Sequence, residues 1–296
     1  MKPCNLCPRM CGADRENGHP GICGVDSHIY AARAALHRWE EPCISGTNGS
    51  GTVFFSGCGL RCVYCQNYDI ATTQVGKEIS RQRLTEIFLE LQEQGAVNLN
   101  LVTPSHYVLE IIPALEEAKK QGLQKPVVYN TSGYERVETL KMLDGIVDIY
   151  LTDFKYINEE TADRYSKAGD YPAVAKSALE EMVRQAGQPV FDQKGMMRSG
   201  VIVRHLLLPG HVHEAEQVVK YVYGTYGNLV YMSLMNQFTP FERLHDNYPE
   251  IARKVTKREY ETLIDFVLNL GVEQAFIQEG DTAEESFIPS FDYEGI

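Results

Sequence analysis

The stretch TVFFSGCGLRCVYCQN, residues 52–67, joins an apolar run to a loop that contains three cysteines. Cys58, Cys62 and Cys65 have the spacing C-x3-C-x2-C. Thiolates hold iron–sulfur clusters, and a complete set is usually four. A set of three leaves one iron with an open position, and an open position is what separates a catalytic metal site from a closed structural one. The spacing alone also permits a zinc knuckle that a distant His or Cys completes.

Short apolar runs alternate with helical patterns from residue 52 onward. The runs after the first one are NLNLV, PVVYNTSG, VDIYLTDF, GVIVRHLLLPG, NLVYMSL and QAFIQ. This β-α order repeats about six times, which predicts parallel strands joined by right-handed helical crossovers. We therefore expect an α/β fold built as a closed or partial barrel.

The helical segments carry the apolar spacing i, i+3, i+4, i+7. It is clearest in residues 84–91, which Gly95 follows, and it returns in residues 263–270. Pro113 interrupts the helix after the second strand. We expect a kink or a restart there, because proline removes a backbone donor.

The first 50 residues differ from the rest of the chain. They hold five of the eight cysteines, Gly and Pro recur, and their only strand-like run is residues 28–39. We expect two parts: residues 1–50 as a cysteine-rich, metal-binding N-terminal extension, and residues 51–296 as the barrel with a C-terminal tail. Four of these cysteines have the spacing C-x2-C-x3-C-x11-C: Cys4, Cys7, Cys11 and Cys23.

Four thiolates are enough to close a metal site. They predict either structural zinc or a second iron–sulfur cluster that relays electrons. His19 and Cys43 are alternative ligands, and a third interpretation is that these thiols pack without a metal.

Charge and hydropathy exclude several classes of function. The formal net charge of −12 argues against a nucleic-acid or anionic-membrane partner, because phosphate binding needs clustered Lys and Arg. We expect no signal peptide and no transmembrane helix, since no apolar segment is long enough. A cytoplasmic location is the expectation, where thiols stay reduced and eight cysteines favour metal over disulfides.

Polar side chains stand at or just after the ends of the predicted strands. They are Cys58, Thr103, Ser132, Asp153 and Arg204. The carboxyl ends of barrel strands share one mouth, where active sites lie. We expect these five residues to converge there.

The cysteine spacing, placed after the first strand of a β-α series, resembles the radical S-adenosylmethionine (SAM) superfamily. Over residues 52–278 the chain resembles the pyruvate formate-lyase activating enzyme group, in its branch with a cysteine-rich N-terminus. The segments that carry this resemblance are CVYCQNYDIA, LNLVTPSHY, VVYNTSGYE, LTDFKY and VRHLLLPG, with ESFIPSF beyond them. It implies a partial (β/α)6 barrel of the radical SAM type, with a 4Fe–4S cluster on the three loop cysteines.

The resemblance also implies SAM as cofactor, with its amino and carboxylate groups on the open iron. Tyr64 matches an aromatic position near the adenine. LVTPSH stands where most superfamily members carry a Gly-Gly-Glu-like motif for the methionine amine. Its absence leaves Thr103 and Ser105, with backbone carbonyls, to bind that amine by hydrogen bonds.

Further cofactor contacts are implied at the later strands. Ser132 corresponds to a cofactor-contacting position. Asp153 and Lys155 lie two residues apart and so point to the same face of their strand. By resemblance Lys155 pairs with the cofactor carboxylate and Asp153 with its amine, and Arg204 lies close to the carboxylate or ribose.

Five other positions carry open or weaker expectations. His205 is either a core histidine or a site residue, and Gln237 is expected near the adenine. The tail residues Phe287, Pro289 and Phe291 either fold over the mouth or fray.

The favoured function is an enzyme that reductively cleaves SAM and abstracts hydrogen from a substrate carbon. By resemblance the substrate is the backbone glycine of a partner glycyl radical enzyme, and a peptide or small molecule is the alternative. The expected reductant is a flavodoxin or ferredoxin. Two hypotheses from other classes are an electron carrier with two clusters and a zinc-binding adaptor.

Overall fold

The computed structural model describes residues 3–73, 75–278 and 289–296. Within these residues the chain forms strands β1 to β10: Ile29–His37, Ser50–Phe55, Lys77–Ile79, Leu99–Val102, Val127–Thr131, Ile149–Asp153, Val190–Phe191, Met197–Leu206, Tyr231–Met235 and Ala275–Ile277. It forms helices α1 to α9: Pro42–Ser45, Tyr68–Ala71, Arg81–Glu93, Val108–Lys120, Val137–Leu140, Glu159–Ser166, Tyr171–Ala186, Val212–Tyr226 and Lys257–Leu270.

One curved sheet organises the molecule. Its strand order is β10-β9-β8-β6-β5-β4-β2-β1-β3. Along this order, each pair of neighbouring strands between β10 and β2 is parallel. Each predicted apolar run forms one of these parallel strands. Since β10 and β3 are the two ends of this order and do not pair with each other, the sheet is not closed. The predicted partial (β/α)6 barrel is confirmed.

The strand-like run at residues 28–39 becomes β1, which extends the same sheet. β1 pairs antiparallel with β2 on one side and with β3 on the other. A segment of the N-terminal extension therefore lies beside the strand that leads into the three-cysteine loop.

The helices follow the predicted apolar spacing. In α3 the buried face includes Leu84 and Phe88, and the Ser80 hydroxyl caps the first turn by accepting from the Arg83 N–H. In α9 the Thr256 side chain and Glu259 form a capping box. Helix α4 runs through Pro113 without a restart.

The parallel strands are buried on both faces, because helices cover the outside and the barrel encloses the inner side chains. Every residue of β2, β4 and β5 is buried, including the polar Asn100 of β4. Among the helices of the described residues, none has the length and apolarity that crossing a bilayer requires.

Candidate functional site

A cavity of about 640 Å³ occupies the inside of the partial barrel and opens at the carboxyl ends of the strands. The five polar residues at the strand ends all line it, although they come from five different strands or their loops. They are Cys58, Thr103, Ser132, Asp153 and Arg204. The chemistry-bearing side chains of residues 58–204 thus share one space.

The three-cysteine loop starts at Gly57, whose backbone requires glycine. Its φ is +88°, and a Cβ there would lie 2.9 Å from the carbonyl oxygen of Cys23. The Gly57 N–H donates to the Ile70 carbonyl at 2.7 Å, and the Cys58 N–H donates to the Cys23 carbonyl at 3.2 Å. The loop is therefore held between α2 and the N-terminal extension.

Arg9 holds the same loop from the outer side. Its guanidinium donates to the Gly59 carbonyl at 2.8 Å and to the Ser166 carbonyl at 2.8 Å. It also donates to the carbonyl of Lys167 and lies 5.3 Å from the ring centroid of Tyr134. One side chain of the N-terminal extension thus ties the loop to the end of α6.

All three loop cysteines line the cavity. Burial raises the pKa of the Cys58 thiol, and it raises that of Cys65 to about 12. The Lys155 ammonium acts on both thiols in the opposite direction and favours the thiolate. A further positive charge is needed to keep such buried thiols ionised, which iron supplies.

The thiol arrangement fits a cluster better than a single ion. Among the described residues, no three His, Cys, Asp or Glu side chains are placed to hold one metal ion. A four-iron cluster puts its thiolates on different irons, so they need not meet at one point. The cavity beside them leaves space for a cluster and a small molecule.

A chain of ion pairs crosses the cavity from the cysteine loop. Lys155 Nζ lies 2.6 Å from Asp153 Oδ2, and Arg204 Nε lies 3.2 Å from Asp153 Oδ1. Burial alone would raise the pKa of Asp153, but the two neighbouring cations outweigh it and lower that pKa. Burial opposes the charge of Lys155 as well, and the Asp153 carboxylate raises its pKa nevertheless.

The chain continues to Glu40, which the sequence analysis missed. Arg204 Nη1 donates to Glu40 Oε2 at 2.9 Å, and its Nη2 donates to Asn130 Oδ1 at 2.5 Å. The other carboxylate oxygen of Glu40 accepts from the side-chain amide of Asn100 at 2.9 Å. The neighbouring Glu41 also lines the cavity and is only 8% exposed.

The sequence did carry a signal for Glu40 and Glu41. They follow the strand-like run at residues 28–39, within the segment that we expected to be a metal-binding extension. Because β1 joins the barrel sheet, the segment after it enters the cavity from the side opposite the cysteine loop. Two adjacent carboxylates before Pro42 could have been flagged, but their placement depends on tertiary structure.

Tyr64 lines the cavity and is buried in an aromatic cluster. Its hydroxyl donates to the Tyr156 hydroxyl at 2.7 Å, which in turn bonds the Ser166 hydroxyl at 2.7 Å. The ring also contacts Phe238, with centroids 5.9 Å apart. These contacts fix the ring in the cavity wall, next in sequence to Cys65.

Thr103 and Ser132 lie together at the ends of β4 and β5. Thr103 has φ +58°, a conformation that a β-branched residue rarely adopts, and its N–H donates to the Asn130 carbonyl at 2.9 Å. Such strain concentrates at functional sites. Gly133, after Ser132, packs so closely on β6 that a Cβ would lie 2.2 Å from the Asp153 carbonyl oxygen.

Ser105 lies behind these residues rather than in the main cavity. Its hydroxyl donates to the buried Glu135 carboxylate, which also accepts from the Thr131 hydroxyl. Burial raises the pKa of Glu135 to about 7, against the effect of these hydrogen bonds. The expected hydrogen bond from Ser105 to the cofactor would have to compete with Glu135.

The four N-terminal cysteines lie against the outer side of the catalytic loop. An ideal Cβ on Gly21 would lie 3.1 Å from the Cys11 sulfur and 3.5 Å from the Cys23 sulfur, so those two thiols flank one glycine. Cys7 and Cys23 share a small cavity with Cys58. The Cys4 backbone closes the segment by pairing with Gly12 and Ala13. Cys43 packs instead in an apolar cluster with Ile44 and Met197.

The remaining sequence candidates have separate positions. His205 is buried, and its Nδ1 lies 2.7 Å from the Phe154 carbonyl oxygen, as in a core histidine. Gln237 lines the cavity, and its backbone carbonyl accepts from the Gln66 amide at 2.9 Å. Pro289 also lines the cavity, whereas Phe291 packs on Phe54. Phe287 lies outside the described residues.

Comparison with known proteins agrees with this geometry. The family model of the radical SAM superfamily matches residues 52–222, more than half of the chain. The chain belongs to the radical SAM superfamily. The expected resemblance is confirmed, and membership implies a 4Fe–4S cluster and SAM.

Relatives of this radical SAM protein include activating enzymes. An uncharacterised protein of Methanocaldococcus jannaschii is 30% identical over 275 residues, which cover 90% of this chain and 74% of that protein. The pyruvate formate-lyase-activating enzyme of Clostridium pasteurianum is 29% identical over 126 residues. That match covers 40% of this chain and half of the length of the enzyme.

Solved structures share the fold of this radical SAM protein. A radical SAM methyltransferase from Sphaerobacter thermophilus superposes with a TM-score of 0.51 at 14% identity, covering 77% of this chain and 66% of that one. SuiB of Streptococcus suis, solved with S-adenosylmethionine bound, has a TM-score of 0.50 at 13% identity. It is covered over 48% of its length, and this chain over 75%.

Proposed function

We propose that this protein reductively cleaves SAM and uses the product to abstract hydrogen from a substrate carbon. The observation that carries the proposal is the single cavity in which Cys58, Cys62 and Cys65 meet the Lys155–Asp153–Arg204 ion pairs. When bound, the reduced cluster supplies one electron that breaks the sulfonium C–S bond, giving methionine and a 5′-deoxyadenosyl radical that takes one hydrogen atom from the substrate.

The residues of the chain bind and orient SAM in this proposal. Cys58, Cys62 and Cys65 hold the cluster and leave one iron open. Lys155 supplies the positive charge for the methionine carboxylate, since its ammonium is next to the thiols. Asp153 keeps Lys155 charged and accepts a hydrogen bond from the methionine amine, in the place of the missing Gly-Gly-Glu-like motif.

Tyr64 and Ser132 complete the SAM site. Tyr64 presents a buried aromatic face to the cavity between two of the cysteines, which suits stacking on the adenine. Ser132 and the strained Thr103 stand at the two neighbouring strand ends and provide hydroxyls toward the ligand. Arg204 is already paired with two carboxylates, so we assign it to positioning Asp153 rather than to direct cofactor binding.

The names of two relatives support a proposal for the substrate class. The relative from Clostridium pasteurianum is named as a pyruvate formate-lyase-activating enzyme. A second relative, from Haemophilus influenzae, is named as a glycyl-radical enzyme activating enzyme. It is 26% identical, and the match covers 44% of this chain and 51% of that protein. We propose activation of a glycyl radical enzyme as the leading activity, with modification of a peptide or small molecule as the alternative. An electron carrier is disfavoured, because electron transfer needs no such ligand-sized cavity beside the thiols.

We further propose a second metal site in residues 1–50, on Cys4, Cys7, Cys11 and Cys23. Zinc would make it structural, and iron would make it a relay to the catalytic loop. Because no three of the described thiols are placed around one ion, their positions favour a cluster, whose thiolates bind different irons. A flavodoxin or ferredoxin in the cytoplasm is the proposed reductant, since the chemistry requires single electrons of low potential.

A mixing experiment tests the proposed substrate class. The anaerobically reconstituted and reduced protein is incubated with SAM and each candidate glycyl radical enzyme of its host. A stable glycyl radical in the electron paramagnetic resonance spectrum of one partner supports activation. Formation of 5′-deoxyadenosine without any partner radical assigns another substrate.

A further inference from the structure

Glu40 and Glu41 place two carboxylates at the end of the cavity that lies away from the cysteines. Each of them has a partner inside a strand, in addition to the contacts of Glu40 with Arg204 and Asn130. Asn100, which donates to Glu40, lies within β4, and Ser233, which contacts Glu41, lies within β9. The pair thus forms a deep acidic floor, defined here as Glu40 and Glu41.

The two carboxylates differ in their contacts. Glu40 accepts from Arg204, Asn100 and Asn130. Glu41 lines the same cavity, but its Oε2 is buried and has no hydrogen-bond partner in the protein. A carboxylate oxygen that is buried without a hydrogen bond costs more free energy of folding than one at the surface. A native site therefore normally supplies a donor for it.

The charges around the cavity point to a cationic donor. The described residues that line it include three carboxylates, Glu40, Glu41 and Asp153, against two permanent cations, Lys155 and Arg204. Both cations are committed to the ion-pair chain, at Asp153 and at Glu40. Glu41 is the carboxyl group left over in this count. Burial raises its pKa, and a cation placed beside it would favour its ionised form.

SAM does not readily supply that donor in the proposed site. Its amine must reach the open iron, at the cysteine end. In order of contact the groups are the cysteine thiols, Lys155, Asp153, Arg204 and Glu40, and Glu41 lies near Arg204 and Glu40. A group that pairs with Glu41 therefore belongs to a second molecule in the same cavity, which is where a substrate must lie to meet the radical.

We propose that Glu41 is a substrate-binding residue that takes a protonated amine or guanidinium of the substrate. This inference rests on the proposed function and narrows it, because it requires a substrate with a basic group within a side chain's length of the carbon that loses hydrogen. Glu40 keeps the floor negative and holds Arg204 away from the incoming cation.

Trp39 offers a direct readout of this floor. It is the single tryptophan of the chain, it precedes Glu40, and it lines the cavity. The reconstituted full-length protein is titrated with n-butylammonium or n-butylguanidinium, and tryptophan emission is followed with excitation beyond tyrosine absorption. n-Pentanol and pentanoate serve as neutral and anionic controls of similar size.

The expected result is saturable quenching or enhancement by both cations and none by the alcohol or the acid. In Glu41→Gln the dissociation constant of the cations should rise by at least about tenfold. Glu41→Asp keeps the charge on a shorter side chain, so its dissociation constant for the cations should lie between those of the wild type and Glu41→Gln. Glu116→Gln, on the exposed face of α4, is the matched control and should bind like the wild type.

Several outcomes would overturn the proposal. One is a wild-type protein that gives no cation response, and another is a response that n-pentanol reproduces. Equal cation binding in wild type and Glu41→Gln also removes Glu41 from the site. Glu41→Asp decides the matter if Glu41→Gln fails to fold.

Addition of SAM distinguishes the two sources of an amine. We expect the affinity for n-butylammonium to change by less than about twofold when SAM is present. Competition by SAM, together with lower SAM affinity in Glu41→Gln, would assign Glu41 to the cofactor and overturn the substrate assignment. Cation binding by a protein that never cleaves SAM would sink the proposed function and leave this site intact, so the two failures are distinguishable.

Discussion

The backbone N–H of Cys58 donates a hydrogen bond of 3.2 Å to the carbonyl oxygen of Cys23. This bond joins the last cysteine of the N-terminal set to the first cysteine of the catalytic loop. Gly57 allows the approach, since a Cβ there would lie 2.9 Å from the Cys23 carbonyl oxygen. The two cysteine groups, 35 positions apart between these residues in sequence, are one packed unit in the structure.

The first prediction concerns the metal of the N-terminal set. A Cys58/Cys62/Cys65→Ala triple variant removes the catalytic ligands and leaves the four N-terminal thiols. We expect elemental analysis of the anaerobically purified variant to find metal still bound. Zinc identifies a structural site and iron identifies a relay cluster.

A triple variant that binds neither metal would contradict a second site. Adding Cys7→Ala and Cys11→Ala to the triple variant is the control, because it should release whatever metal remains. In otherwise wild-type protein, Cys11→Ala should also lower iron retention in the catalytic loop, through the Cys23–Cys58 contact.

The second prediction concerns Arg9. Replacement by Met removes hydrogen bonds to the Gly59 and Ser166 carbonyls, each charge-assisted and worth about 2 kcal/mol. We expect the Arg9→Met variant to fold but to lose at least half of its loop-bound iron on anaerobic gel filtration. Arg258→Met, at an exposed position of α9, is the control. Full iron retention in Arg9→Met would show that the loop does not depend on this tether.

The third prediction concerns Lys155. Lys155→Ala leaves the thiols in place but removes the cation between them and Asp153. We expect at least about a tenfold rise in the dissociation constant for SAM, with unchanged iron content. Lys194→Ala, which changes an exposed lysine, should affect neither quantity. Unchanged SAM affinity in Lys155→Ala would remove this residue from the site.

The fourth prediction concerns the stability of the fold against pH. The pKa of Glu135 is raised by burial to about 7 in the folded state, above an unfolded value of about 4.3. The folded state therefore binds more protons between these two values, so the free energy of unfolding falls as pH rises from about 4.3 to about 7. The loss is up to ~4 kcal/mol by the linkage relation.

Glu135→Gln removes this titration and keeps hydrogen-bonding capacity. Above about pH 7 the melting temperature of the variant should therefore exceed that of the wild type. Between about pH 4.3 and about pH 7 the melting temperature should fall less steeply in the variant than in the wild type. Equal slopes for the two proteins across that window would show that Glu135 does not titrate there.

The sequence alone was sufficient to predict the series of parallel strands and the residues of the site that lie at the carboxyl ends of those strands. Strand runs bounded by polar turns are local signals, and the rule that carboxyl ends share a mouth placed Cys58, Thr103, Asp153 and Arg204 together. The helix through Pro113 was not foreseen, because α4 keeps its buried face despite the lost backbone donor.

The other side of the site could not be derived in that way. Glu40 and Glu41 enter the cavity only because β1 pairs antiparallel with β2, and no local pattern specifies that pairing. Ser105 shows the converse case, since its position after β4 suggested the cofactor, whereas its hydroxyl meets the buried Glu135. Partners that far apart in sequence are fixed by packing rather than by periodicity.

The most direct test of the central claim is formation of 5′-deoxyadenosine. The protein is reconstituted with iron and sulfide under anaerobic conditions, reduced with dithionite, and given SAM, and the products are separated by chromatography. The account predicts 5′-deoxyadenosine and methionine in equal amounts from the wild type, and none from Cys58→Ala, Cys62→Ala or Cys65→Ala. The account would be contradicted if any of these three variants formed as much 5′-deoxyadenosine as the wild type.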